Sequence, residues 1–578
     1  MRITSAAQTH IPHATLGHRR YCAEMSDSDT PTPSEIQQDA VETLSHDAGP
    51  PEPPEPSEKT SSGEMRTPGL LGVVERMGNL LPNPFWLFVC LGGIVLVLSW
   101  LGSLIGMSAT DPETGDKVKV VNLLSSDGLT DIVSGAVTNF TGFPPLGVII
   151  TVMLGVSVAE HSGLISSAVR AVVARTGPKT LTFVVALTAV TGSIASDAIF
   201  VIMIPLGAMA FNALGRSPIV GAVVAFAASA TGFNASLLLN ITDVLLSGIS
   251  TSAAHIVDPD YEVNPLSNYY FVIGSSIVLA IIITLLTELY MDRKIHQIVD
   301  HDQVDYSEVS FTDDEGREIT GLTLKPNESR GLKLAGLALV VCLALYFALL
   351  FIGGSPLQGE GGAVMESPLI TNIAVPIALI FFILGLVYGL AVKTITTATD
   401  VPDFMARGLQ TMLPILVLFF VVAQFVSWFS ASNIGIWVSI KGSDLLQSWD
   451  LPTPVLFFGV VVMVAVLNML VTSGSAQWAL MAPVIVPMLM YIGVSPEVSQ
   501  MLFRIGDSGT AVVTPLNPYF AMAFAFVLRY YKKARLGTVM SMMIPYCLAI
   551  LVGWFLFFVL WWSLGIPLGP GSPMEYPA

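Results

Sequence analysis

The sequence predicts an all-α polytopic membrane protein, with nine transmembrane helices and two re-entrant hairpins in an inverted repeat. Composition is the first observation behind this. Hydrophobic residues make up 53% of the 578 residues and charged residues 12%, with a mean hydropathy of +0.69. A soluble chain of that composition would expose large apolar patches. The second observation is a series of apolar runs of about 20 residues, the length that crosses a hydrocarbon core of about 30 Å. The third is an internal match. Adding 278 to positions in SDAIFVIMIPLGAMAFNALGRSPIV reaches GSAQWALMAPVIVPMLMYIGVSPEV without a gap, bringing Pro205 to Pro483, Gly215 to Gly493, Ser217-Pro218 to Ser495-Pro496 and Asp197 to Ser475. Repeated, interrupted hydrophobic segments mark secondary transporters whose substrate site lies between the repeats near mid-bilayer.

Residues 1–65 are rich in Pro, Glu, Asp and Ser, so they are expected to form a disordered tail. They lack the charged n-region and apolar h-region of a signal peptide, which leaves the first span to act as the membrane signal. The first transmembrane repeat is expected over 66–291 with a hairpin at 180–213. An acidic cytoplasmic loop follows at 292–332, and then a second repeat over 333–565 with a hairpin at 453–492; a short extracytoplasmic tail, 566–578, ends the chain. Full crossings are expected at 84–106, 143–165, 217–250, 269–291, 333–353, 369–394, 409–430, 496–528 and 537–565. The hairpins are read from TGSIAS and NMLVTSGSAQ, which interrupt apolar runs where unwound backbone needs protein or a water-filled cavity to satisfy it.

Basic residues orient this scheme by the positive-inside rule. Arg66, Arg76, Arg170, Arg175, Lys179, Arg293, Lys294, Arg330, Lys333, Arg529, Lys532, Lys533 and Arg535 fall on one side, whereas 252–268, 354–368 and 566–578 hold no Lys or Arg. The N-terminus is then cytoplasmic and the C-terminus outside. The net charge of −17 reflects the tail and the acidic loop, not an acidic site. Cys22, Cys90, Cys342 and Cys547 show no C-x-x-C spacing, which excludes a cysteine zinc site and a disulfide framework.

A charge at mid-membrane costs about 2.5 to 3.5 kcal/mol on insertion scales, so it lines a cavity or finds a partner. Asp197 has no basic residue within a helical turn. Arg504 and Asp507 are three apart on one helix face and could neutralise each other, or serve a ligand. Asn234, Asn240 and Asp243 interrupt one broken crossing; Gly506, Gly509, Thr514, Pro515 and Asn517 interrupt its counterpart, with unwinding expected around Asp507. Trp478, close to Ser475, either stacks on an aromatic ligand or packs against a neighbouring helix.

The segments GLLGVVERMGNLLPNPFWLF, GSIASDA, VTSGSAQWALMAP and FRIGDSGTAVVTPLNPYF resemble the AbgT family of p-aminobenzoyl-glutamate transporters, over about residues 68–565. The resemblance implies a homodimer of protomers with nine transmembrane helices and two hairpins in the cytoplasmic membrane. It implies a pathway lined by Asp197, Ser475, Trp478, Pro496, Arg504, Asp507 and Pro515, with Asn468 and Asp507 as a sodium-associated pair; Asn234 joins the pathway from the repeat. The partners it implies are a small aromatic anion, a coupling proton or sodium ion and the bilayer, with no nucleic acid. Import of p-aminobenzoyl-glutamate and proton-driven export of p-aminobenzoate and sulfonamide drugs both stay open. An enzyme is not expected: no G-x-x-x-x-G-K-[ST] loop supplies ATP energy. For an intramembrane hydrolase, the remote alternative, neither a G-x-S-x-G elbow nor H-E-x-x-H is present.

Overall fold

The computed structural model describes residues 83–576, apart from 111, 113–114, 196, 307–308, 310, 313–317, 320–322, 360–363, 365 and 515. The expected tail at 1–65 lies outside the described residues. Helices dominate: α1 (Pro84–Leu104), α2 (Ser126–Thr141), α3 (Pro144–His161), α4 (Leu164–Val173), α5 (Leu181–Thr191), α6 (Ala198–Ala213), α7 (Pro218–Gly232), α8 (Ile241–Ala254), α9 (Tyr269–Leu286) and α10 (Asp292–Ile298). They continue as α11 (Pro326–Phe351), α12 (Pro368–Thr371), α13 (Ala374–Val392), α14 (Asp400–Ala431), α15 (Ile434–Ser448), α16 (Thr453–Asn468), α17 (Gly474–Met490), α18 (Pro496–Ala511), α19 (Pro518–Tyr530) and α20 (Leu536–Ser563). Two short antiparallel ribbons, Ser108–Thr110 with Lys117–Lys119 and Phe311–Thr312 with Glu318–Ile319, sit between helices.

Among the described residues, seven helical runs are long and apolar enough to cross a membrane. They overlap seven of the expected crossings, the run Ser126–His161 joining α2 to the expected crossing at 143–165. The remaining two differ: 217–250 is α7 and α8 separated at 233–240, and 496–528 is α18 and α19 separated at 512–517. Both expected hairpins appear as helix pairs around non-helical tips. The first is α5 and α6 about a 3-10 turn at Gly192–Ala195, the second α16 and α17 about 469–473. At about 1.5 Å per residue, an arm of 16 or 17 residues falls short of a full bilayer crossing. The expected loop at 292–332 is partly helical, through α10 and the first turns of α11.

The 278-residue offset survives as geometry. Gly215 and Gly493 both take left-handed backbone, φ 72° and 81°, where a Cβ would be strained. Each turns the chain from a hairpin arm into a helix opened by Pro218 or Pro496, whose fixed φ suits the first helical turn. Contacts repeat in the same register. α6 and α7 pack on α19 as α17 and α18 pack on α8, α5 packs on α7 as α16 packs on α18, and α7 meets α18 between them. The second arm of each hairpin thus packs on the helix that follows the break of the other repeat, so the helix pairings of one repeat recur in the other.

Outside this core, α3 lies against α13 through facing glycines. A Cβ on Gly155 would stand 2.0 Å from the Ala378 carbonyl oxygen, and one on Gly385 2.5 Å from the Ala159 nitrogen. Small residues permit this close backbone approach in membranes, where dispersion rather than the hydrophobic effect holds helices together. α14 packs on α3 and carries Pro414 in its interior.

Candidate functional site

Both hairpin tips and both helix breaks converge on one cavity of about 410 Å³. The first repeat contributes Ser193 and Asp197 from its tip, Phe233 and Asn234 from its break and Thr242 from the first turn of α8. From the second come Thr472 and Ser473 of the tip, Gly474 and Ser475 at the start of α17, Asn517 of the break, Tyr519 in the first turn of α19, and Asp507. α14 closes one side with Thr411 and Pro414. Such convergence follows from the chain's own chemistry. Unwound segments hold backbone groups that helices would otherwise satisfy, and they are tolerated at membrane depth only around such a space.

Asp197 stands open to the cavity at the start of α6, and the Tyr519 hydroxyl donates to its carboxylate. The Tyr519 ring lies flat on Phe200, with centroids 4.3 Å apart and planes 7° apart, and Phe233 stacks beside them at 5.7 Å from Phe200. Opposite, Asn234 Nδ2 donates to Asp507 Oδ2 at 2.6 Å and to Ser508 Oγ at 2.8 Å. The second tip touches the same carboxylate, since a Cβ on Gly474 would stand 3.1 Å from Asp507 Oδ2. No Lys, Arg or His is among the described residues lining the cavity.

Of the residues expected on the pathway, the structure brings together Asp197, Asn234, Ser475 and Asp507. The others are placed differently. Arg504 is wholly buried outside the cavity lining and pairs not with Asp507 but with Asp243, Nη1 to Oδ1 at 2.5 Å. Asp243 is shared, because its Oδ2 accepts from the Asn240 amide at 2.8 Å while Asn240 Oδ1 accepts from the Asp243 amide at 2.9 Å. This capping box opens α8, so the ion pair fastens α18 of the second repeat to the break of the first. With its amide oriented to satisfy its neighbours, Gln500 accepts from Arg504 Nη2 at 3.3 Å and donates to Ser250 at 2.7 Å.

Trp478 is also fully buried; its Nε1 donates to Ser250 Oγ at 3.0 Å and its ring leans on Phe503 at 4.7 Å. Trp478 lies outside the cavity lining, whereas its offset counterpart Phe200 faces the cavity. Pro496 opens α18 in the protein interior, away from the cavity lining. Pro515 lies outside the described residues. The expected unwinding beside Asp507 is replaced by continuous helix to Ala511. Gly506 and Gly509 serve close packing instead, against Val464 and Leu551 respectively. Asn468 sits behind Asp507, its Nδ2 donating to the Asp507 carbonyl at 2.6 Å and to Thr510 Oγ1 at 2.9 Å.

Sequence reasoning missed the Phe200, Phe233 and Tyr519 stack. The available signal was an aromatic residue at each break and at the first hairpin arm, which apolar surroundings concealed.

Three comparisons bear on this geometry. A family model described as "AbgT putative transporter family" matches residues 69–576. The p-aminobenzoyl-glutamate transport protein of Escherichia coli (strain K12) is 36% identical over 504 residues, covering 87% of this chain and 96% of that one. Among solved structures, the Alcanivorax borkumensis YdaH transporter superposes with a TM-score of 0.78 at 38% identity, covering 85% of this chain and all of that one. Neisseria gonorrhoeae MtrF, described as illustrating a class of antimetabolite efflux pumps, gives 0.79 at 37% identity, covering 87% of this chain and all of that one.

Proposed function

The chain belongs to the AbgT transporter family, and on that premise we propose that it carries a small aromatic anion of the p-aminobenzoyl-glutamate type across the cytoplasmic membrane. The single observation that carries the reading is the cavity shared by both repeats, which sets three stacked aromatic rings beside two carboxylates. Flat rings suit an aminobenzoyl group, since offset stacking adds about 0.5 to 1.5 kcal/mol beyond burial. The Asp197 carboxylate, at the edge of the stack, suits an arylamine N–H donor.

The carboxylates also argue for coupling. An anionic group bound about 4 Å from either carboxylate is repelled by about 4 kcal/mol at the effective dielectric of a protein site, and no basic side chain among the described lining residues offsets this. An anionic substrate therefore enters favourably only once Asp197 or Asp507 is neutralised, by a proton or a sodium ion. Sodium chemistry fits the oxygen donors around Asp507, where the Ser473 and Ser475 hydroxyls share the tip. Asn468 fits it less well, because its Nδ2 already donates to the Asp507 carbonyl and Thr510 Oγ1. In this reading the protomers pair as a homodimer, and the site alternates between the two faces as the repeats move. Export of p-aminobenzoate and sulfonamides uses the same ring stack and differs only in which gradient is spent.

Vesicles holding the purified protein test this directly. Labelled p-aminobenzoyl-glutamate and p-aminobenzoate are offered under an imposed pH gradient and then a sodium gradient. Flux that follows one gradient, and is abolished in Asp507→Asn while gel filtration still shows an intact assembly, is the expected result. Flux of neither compound under either gradient would overturn the proposal, and the direction of flux separates import from export.

A further inference from the structure

A second cavity, of about 480 Å³, opens on the other side of the first hairpin tip, between α4, α5, α11 and α13. Its walls are Leu, Ile, Val, Ala, Phe and Gly side chains, with Thr188 and Thr191 the only hydroxyls. Water there would find too few polar partners to stay ordered. An empty crevice would forfeit dispersion contacts along its whole lining. Two of its walls are among the least buried crossings of the molecule: 11% of the spanning window of α11 and 22% of that of α13 are buried. The medium at their outer faces is the bilayer core.

We infer that this crevice holds one acyl chain of a membrane phospholipid, entering from the lipid between α4 and α11. The rim carries the apolar groups such a chain meets on the way in, Val172, Leu238 and Leu339, all substantially exposed. Its inner end rests on the partition that also walls the substrate cavity. Thr191, Gly192 and Ile194 face the crevice, whereas Ser193 and Asp197 of the same tip face the cavity. Leu237 faces the crevice while Phe233 and Asn234 of the same break face the cavity. The lipid tail thus backs a partition a single segment thick, and supplies the packing that the protein omits there.

Gly336 gives a way to close the crevice. It lines the space, and a Cβ there meets no heavy atom within 4 Å, so the backbone admits a side chain and Gly336→Trp places a ring at the mouth of the crevice. The full-length protein is reconstituted in phosphatidylethanolamine and phosphatidylglycerol vesicles doped with a phosphatidylcholine that carries a diazirine at its acyl terminus. After irradiation, adducts are mapped by peptide mass spectrometry. The expected result is adducts on Thr188 and Thr191, at the inner wall, that fall at least five-fold in Gly336→Trp while adducts on the outward Val340 persist. In wild-type protein, adducts confined to Val340 and Leu337 overturn the proposal. So does a disulfide-linked dimer of Gly336→Cys in a variant otherwise free of cysteine, which would show that a second copy covers the crevice. Neither readout depends on transport.

Discussion

Arg504 shows why partners of buried charges cannot be read along the chain. Sequence spacing offered Asp507, three residues away; folding supplies Asp243, 261 positions distant. Removing one member of a buried pair costs about 3 to 5 kcal/mol because the other charge is left without compensation. Arg504→Gln and Asp243→Asn should therefore each lower the melting temperature sharply in detergent, and the double variant should recover most of the loss. Combining Arg504→Gln with Asp507→Asn should recover none of it. For Trp478, burial and the bond to Ser250 predict a packing role. Trp478→Phe should lose about 1 kcal/mol of stability with its hydrogen bond, and Trp478→Ala about 3 to 5 kcal/mol, while KM stays unchanged in the protein that folds. Tyr519 is the contrasting case. Tyr519→Leu should raise KM for an aromatic substrate several-fold through the loss of about 1 kcal/mol of stacking, and Tyr519→Phe should retain the stack yet lose the donor to Asp197. Equal KM values in both variants and the wild type would reject the recognition role.

At the scale of elements, the features written as interruptions in apolar sequence were legible. Both hairpins, both breaks and the Gly-Ser-Pro register of the repeat follow from Gly, Pro and Ser placed where a continuous helix cannot run. Half-length helices were harder to see. α2, α4 and α15 are partly polar and too short for a crossing, so no hydropathy window near 20 residues detects them. Glycines within helices were also ambiguous, since those beside Asp507 suggested unwinding and proved to be points of close packing. Gly207 and Gly221 are a further pair of this kind. A Cβ on Gly207 would lie 2.6 Å from the Gly221 carbonyl oxygen, and one on Gly221 2.3 Å from that of Gly207. Gly207→Leu should force α6 from α7 and abolish assembly, seen as loss of the folded peak in gel filtration. Gly93→Leu, at a position with open space, should leave that peak in place.

For the whole molecule, orientation rests on the distribution of basic residues. In a protein freed of native cysteines, single cysteines at Thr176 and Asp450 should react with an impermeant reagent from opposite faces of the membrane; labelling of both from one face would reject an inverted arrangement. The two-fold correspondence of contacts has a further consequence for energetics. If each repeat adopts the conformation of the other, the resulting state keeps the same helix pairings at the hairpins and breaks. The scaffold alone is then nearly degenerate between states that open to opposite compartments. What lifts the degeneracy is the sequence difference between the copies, which around the cavity sets Asp197 against Ser475, Phe200 against Trp478, and Asp507 against Ser229. A mutation that makes the copies more alike at those positions should move the population of states before it moves the affinity of either.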